Sequence, residues 1–380
     1  MAQTGHIERT DRTETTSIDR RSYLASIGAA GTVATAGCLG SIGGGSTTIN
    51  IITWEEFEAM QENIEDTLDV ELDITTSTSS SEMFSQWNAG QDEQYDIAVP
   101  NNNYVPLMLD ADLVAPVDES TVDNWDSMYD KFHEFADNQF NVDGNYYGVP
   151  IRFGWYGYGY DTREVPDHEA SYSILFEEDY VDADLDGNLI MYDDHFKTIG
   201  ATALYLGFDD AFQGERVDLS EDQLEECKQT LIEQKDRLQG YIASDPTYIK
   251  SFRQGDFLVG HSGRNEIVEM WDEGNDWPDY AAPNEGALAW FESAVVSKKS
   301  DNQEAAWKVI NEFIASENGA ELAKAGFSPS CNPETQQQLS DEQNEMFGAI
   351  DPSRLDEMIP FKAMENEDAW QSAWEEVKSA

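Results

Sequence analysis

The stretch FGWYGYGYD, residues 153–161, sets Phe153, Trp155, Tyr156, Tyr158 and Tyr160 among three glycines. Rings at this density can hold an ammonium over their faces, an attraction of about 0.5–2 kcal/mol. Carboxylates supply the other half of cation recognition, at about 1.5–3 kcal/mol per charge-assisted hydrogen bond. In an extended strand, however, Phe153, Trp155, Gly157 and Gly159 share one face, and Gly154 with the three tyrosines shares the other. Alternation excludes a five-ring box. It leaves Trp155 or Tyr156 to reach a ligand and assigns Tyr158 and Tyr160 to packing.

Two guanidiniums suggest the opposite chemistry. Arg152 precedes the aromatic stretch and Arg264 lies in VGHSGRN. A planar guanidinium grips a carboxylate bidentately, so an amino acid, organic anion or zwitterion is an alternative ligand; ion pairing within an acid-rich protein accounts for either arginine equally. A third pattern is DADLDGNLIMYD, residues 182–193. Asp182, Asp184, Asp186 and Asp193 stand at positions 1, 3, 5 and 12 of an EF-hand-like loop, with Gly187 at position 6. Position 12 is Asp rather than the usual Glu, and the preceding FEEDYV is short for an entering helix. An acidic turn leading into a strand explains the same residues, and no metal is assigned. No phosphate-cradling P-loop, His-Glu-x-x-His or Gly-x-Ser-x-Gly spacing occurs. No cofactor and no enzymatic activity are expected; an extracellular hydrolase or adhesion protein is the remote alternative.

Charge narrows the partners. Asp and Glu total 76 against 22 Lys and Arg, a formal net charge of −54, which excludes nucleic acid as a general partner. The acids are spread along the chain rather than gathered in a tail. Such a surface suits molar salt, where the Debye length is about 3 Å, and implies an extreme halophile. At the N-terminus, Arg20 and Arg21 precede an uncharged run to Gly37, and Thr35-Ala36-Gly37-Cys38 follows the lipobox pattern. Residues 1–37 read as a twin-arginine export signal, Cys38 as the lipidated first residue and 38–47 as a flexible tether. The expected location is the outer face of the cytoplasmic membrane, held by the lipid. For Cys227 and Cys331 a disulfide is left open.

These groups must be positioned by an alternating pattern. TINIITW, VELDITTS and YDIAVP read as strands separated by the helical EEFEAMQENIEDTL and SSEMFSQWNAG, a parallel α/β arrangement. Ligands in such sheets bind beyond the carboxyl ends of the strands, which places Trp54 to Phe57 and Asn101 to Tyr104 at one crevice. Further on, NLIMYDD and ALAWFESAVVS read as strands. HFKTIGATALYLGF, DQLEECKQTLIEQKDRLQG and NQEAAWKVINEFIAS read as helices. Strands that leave and later return imply two discontinuous lobes.

Through TWEEF, DIAVPNNNYV, MYDDHFKTI and AWFESAVVS, the chain resembles the solute-binding proteins of ABC importers, closest to the spermidine/putrescine-binding group, over most of residues 48–380. The resemblance implies a two-lobed α/β periplasmic-binding-protein-like (type II) fold with an interlobe cleft and crossover strands. Lobe 1 would be 48–151 plus 292–335, and lobe 2 would be 152–291 plus 336–380. It implies a monomer that delivers a polyamine-type cation to an ABC permease. By that likeness Trp54 stands for a ring flanking the polyamine and Phe57 for a tyrosine, with Glu55 a candidate in the same TWEEF stretch. Asn101 and Asn103 stand for a pocket serine and tyrosine, Asp194 for an ammonium-binding aspartate, Trp290 for a stacking ring and Glu292 for the central aspartate. The chain departs from the pattern where Lys197 takes the place of a second acid and Gly263 that of a tryptophan. The aromatic stretch corresponds to a strand crossing between lobes, so Trp155 or Tyr156 would replace the missing ring.

Overall fold

Strand β1 (Thr47–Thr53) pairs in parallel with β2 (Val70–Thr76) and β3 (Ile97–Ala98). This computed structural model describes residues 46–348, 355 and 358–380. The twin-arginine segment, Cys38 and most of the tether therefore lie outside the described residues. The tether's last residue, Thr47, is already paired with Val70 in β1, because a β-branched side chain beside TINIIT extends the strand. Between β1 and β2 the expected helix forms in two pieces, a 3-10 turn (Glu55–Met60) and an α-helix (Gln61–Leu68). The helix Ser80–Asn88 is capped by Ser79, whose hydroxyl accepts from Glu82 N.

After a small hairpin of β4 (Asn141–Val142) and β5 (Asn145–Tyr146) comes the long β6 (Val149–Asp161). The later strands are β7 (Leu189–Tyr192), β8 (Leu238–Ile242), β9 (Val259–Gly263), β10 (Pro278–Ala281), β11 (Ala287–Val296) and β12 (Met358–Pro360). They join one sheet in the order β2-β1-β3-β11-β6-β9-β7-β8, with β10 on β6 and β12 on β11. All ten residues of β11 are buried, as a strand covered on both faces requires.

The described residues from Ser46 on pack as one unit around two large buried clusters. One gathers Ile49 to Trp155 with Ala287, Ala289, Phe291, Trp307 and Phe313. The other gathers Tyr156 to Met270 with Leu288, Trp290, Trp370 and Trp374. β6 passes from the first cluster to the second between Trp155 and Tyr156, and β11 lies between them, with Ala287, Ala289 and Phe291 in the first and Leu288 and Trp290 in the second. Along β6 the expected alternation holds: Phe153 and Trp155 enter the first cluster, and Tyr156 and Tyr158 the second. Cys331 is buried in the first cluster and Cys227 in the second, each as a free thiol. No described helix is long and apolar enough to cross a membrane.

Candidate functional site

Arg152 and Glu292 are direct antiparallel partners on β6 and β11, and a register shift follows between Glu292 and Ser293. Both side chains are buried. Arg152 Nε donates to Glu292 Oε2 at 2.6 Å and Nη2 donates to Oε1 at 2.8 Å. Glu56, on the 3-10 turn after β1, reaches the same Nη2 at 3.3 Å. The guanidinium carbon also lies 5.7 Å from the ring centres of Phe57 and Trp290. Burial pushes the Glu292 carboxyl up to about 7, while Arg152 pulls it back and Glu56 and Asp245 add to the rise. Two acids and two rings thus converge, as a cation site requires, and the chain's own arginine fills the space between them.

The neighbouring candidates sit on the strand ends. Trp54 Nε1 donates to Val99 O at 2.8 Å, which ties its ring to the end of β3. Glu55 is exposed and points away; its neighbour Glu56 makes the contact with Arg152. Asn101 lies opposite Glu292 in a bridge and donates its backbone N–H to Ser80 Oγ. Asn103 is buried, and its Oδ1 lacks a hydrogen-bond partner. Asn102 accepts from Phe291 N and donates to the carbonyl of Phe361, joining β11 to the C-terminal segment. Trp155 stacks near Phe153, with centroids 6.2 Å apart. Arg264 lies 5.5 Å from the Trp155 and Trp271 rings. Trp290 lies against Gly154, where a Cβ would come within 2.5 Å of its ring.

A second group gathers where β7 and β9 end. Asp194 caps the helix His195–Tyr205, its Oδ1 accepting from Lys197 N at 2.8 Å. One turn on, Lys197 Nζ lies 4.7 Å from the Tyr156 ring and 4.6 Å from Tyr192. The Tyr192 hydroxyl, with one proton to give, lies within hydrogen-bonding reach of both Asp245 and the buried Glu266, whose Oε1 also accepts from Gly263 N. Burial first, then Asp245, push Glu266 up to about 8. His261 is wholly buried against Tyr156, Tyr172 and Tyr192. Burial, then Lys197, hold its imidazole down at about 3, so it is neutral. Tyr104, on the turn after β3, lies in the field of Asp194 and Glu367; burial first and these acids next raise its phenol above the usual range.

The structure thus brings together Arg152, Glu292, Phe57 and Trp290; Trp155 and Arg264; and Tyr156 beside Asp194. It does not bring Glu55 into either group. Glu56, Tyr192, Asp245, His261 and Glu266 are additions to the residues singled out by sequence. For Glu266 the signal was present: a Glu three residues after the helix-opening Gly263 reaches back to that residue's N–H. The acidic 182–193 loop disperses its carboxylates: Asp186 pairs with Arg237, and Asp193 with Trp374 Nε1 and Lys378. Among the described residues no three ligating side chains converge for a metal.

Residues 54–346 match the profile of a family described as bacterial extracellular solute-binding protein. The putrescine/cadaverine-binding protein of Pseudomonas aeruginosa is 23% identical over 64% of this chain and 68% of its own length. The putrescine-binding periplasmic protein SpuD of the same species is 20% identical over 63% and 65%. The chain thus spans about two-thirds of the length of these relatives. The crystallised spermidine/putrescine substrate-binding protein of Streptococcus pneumoniae superposes with a TM-score of 0.70, at 20% identity over 88% of this chain and 98% of that one. The last likeness is one of fold.

Proposed function

Because the chain belongs to the bacterial extracellular solute-binding protein family, we propose that it captures a small ligand of the polyamine class, a primary ammonium on an aliphatic chain, and delivers it to the permease of an ABC importer. Members of this family bind solutes and do not catalyse reactions. One observation carries the ligand reading: a shared negative field runs along the buried rings. After burial itself, Asp245, Glu266 and Asp194 all raise the phenol of Tyr156, and Glu56 and Asp245 both raise Glu292. Acids so placed favour an ammonium beside these rings. The rival grip on an anion by Arg152 and Arg264 draws little support, because the Arg152 fork is committed to Glu292 and Glu56.

The rest of the reading follows the family. We place the ligand between two lobes, 48–151 plus 292–335 and 152–291 plus 336–380, a division that the two buried clusters support in outline, although Phe153, Trp155, Ala287, Ala289 and Phe291 pack in the first. Closure would bend β6 between Trp155 and Tyr156, where it changes cluster, together with the neighbouring β11. Trp54, Asn101, Asn103, Trp155, Tyr156, Asp194 and Trp290 are proposed to line the cleft. Export through the twin-arginine segment, lipidation at Cys38 and action as a monomer are proposed on the motifs and composition. Loss of lipid labelling in Cys38→Ser tests the anchor.

Isothermal titration in molar KCl with putrescine and spermidine tests the ligand. Saturable binding of at least one is expected. Absence of both heat and thermal stabilisation with either compound overturns the polyamine reading.

A further inference from the structure

The Tyr156 and Tyr192 rings meet edge to face, with centroids 5.5 Å apart and planes at 90°. The notch between them is where an alkylammonium would be held, and it already contains one: Lys197 Nζ, within 5 Å of both ring centres. A second ammonium brought to the same rings would meet a like charge there. Beside the notch lie buried polar atoms without partners. Both ring nitrogens of His261 lack hydrogen bonds, although the residue is 0% exposed and packs on the same two tyrosines. Glu266 Oε2 also lacks one, while Oε1 lies in reach of the Tyr192 hydroxyl and accepts from Gly263 N–H. Buried polar groups are almost always satisfied. Orphans clustered on one ring pair therefore point to a missing hydrogen-bonding group.

The available donors define that group. Lys197 presents an ammonium, and a neutral His261 presents one N–H and one acceptor nitrogen. Burial first, then Asp245, raise the Glu266 carboxyl, which favours its neutral, O–H-bearing form beside Lys197. The two other acids here are occupied: Asp194 Oδ1 caps its helix, and the Asp245 oxygens face the Tyr192 hydroxyl and the Asn265 amide. We infer that Lys197, His261 and Glu266 form a subsite for a carboxylate head, so that among aliphatic amines the site prefers one whose far end is a carboxylate, an amino-acid-type zwitterion, over a diamine of the same length. This rests on the reading that the protein binds an aliphatic amine beside these rings. Lys197 is then the specificity-determining residue, a built-in cation standing where the second ammonium of a diamine would sit.

The test compares two probes with the same four methylenes, putrescine and 5-aminopentanoate, by titration calorimetry of the full-length protein in molar KCl. The wild type is expected to bind 5-aminopentanoate at least tenfold more tightly than putrescine. Lys197→Gln should lower that ratio at least tenfold, and Lys197→Arg should preserve it. Thermal unfolding of both variants shows whether they are folded; should Lys197→Gln not fold, the wild-type preference alone decides. Putrescine binding as tightly as 5-aminopentanoate overturns this inference while leaving the amine reading intact. So does an unchanged ratio in folded Lys197→Gln. Failure to bind putrescine, spermidine and 5-aminopentanoate overturns both.

Discussion

Arg152 and Glu292 face each other across β6 and β11 and close a two-pronged ion pair at 2.6 and 2.8 Å, with both side chains almost fully removed from water. Taking two charges out of water is costly, and the cost is offset only while both partners are present. Arg152→Leu strands the Glu292 carboxylate and should lower stability by about 3–5 kcal/mol in urea unfolding. Arg152→Leu/Glu292→Leu removes both charges and should lose markedly less. A double-variant loss equal to the sum of the losses in Arg152→Leu and in Glu292→Leu alone would show that the pair is not coupled.

The glycines of FGWYGYGYD give a second prediction. A Cβ at Gly157 would come within 2.2 Å of the Ala281 carbonyl oxygen on β10, a backbone atom that cannot swing aside. At Gly154 the obstacle is the Trp290 ring at 2.5 Å, a side chain that can shift at a cost. Gly157→Ala should therefore exceed the roughly 1–3 kcal/mol usual for overpacking, and Gly154→Ala should fall within it. Gly240→Ala, on β8 with nothing within 4 Å of its Cβ, is the control and should be neutral or slightly stabilising. Similar melting temperatures for all three would refute the close-approach account.

These glycines also show what could be read in advance. Period-two alternation assigned Phe153 and Trp155 to one face and Tyr156 and Tyr158 to the other, because side-chain direction in a strand is a local property. The choice between Glu55 and Glu56 was not local in that sense. Adjacent carboxylates on one turn differ only by a rotation, and the tighter 3-10 turn (Glu55–Met60) sets which one meets Arg152. Likewise, register marked Lys197 as a departure from the acid of similar proteins. That its ammonium rests on Tyr156 and Tyr192 depends on packing between distant strands, which spacing along the chain does not encode.

Cys227 and Cys331 lie in different buried clusters as free thiols. Burial pushes the Cys227 thiol up to about 12 and Cys331 well above its ordinary value, so neither supplies the reactive thiolate. In Cys38→Ser protein a thiol reagent should label neither residue in the native state and both after denaturation without reductant. Denatured protein that titrates no thiol would establish a disulfide instead.

The net charge of −54 makes self-repulsion a large term at low ionic strength. Raising salt shrinks the Debye length from about 10 Å at 0.1 M to about 3 Å at 1 M, which screens repulsion between surface acids. The melting temperature should rise steeply over that interval in KCl. A flat profile would remove the support for a halophilic origin.

Glu266 should leave a pH signature of defined sign. Its carboxyl is raised from an ordinary value of 4.5 to about 8, by burial first and Asp245 next. The folded state therefore holds a proton that the unfolded chain releases above about 4.5. The associated stability is fully present below that value and is lost as pH rises through about 8. Glu266→Gln cannot ionise, so its unfolding free energy should not share this loss. Relative to the variant, the wild type should become progressively easier to unfold from about pH 5 to pH 8, at a slope of up to about 1.4 kcal/mol per pH unit for one proton. Urea unfolding at stepped pH in molar KCl reads the difference directly. Other carboxylates titrate in both proteins and cancel to the extent that they do not touch this site. Parallel profiles would mean that Glu266 is already ionised in the folded protein, with Lys197 close enough to neutralise it.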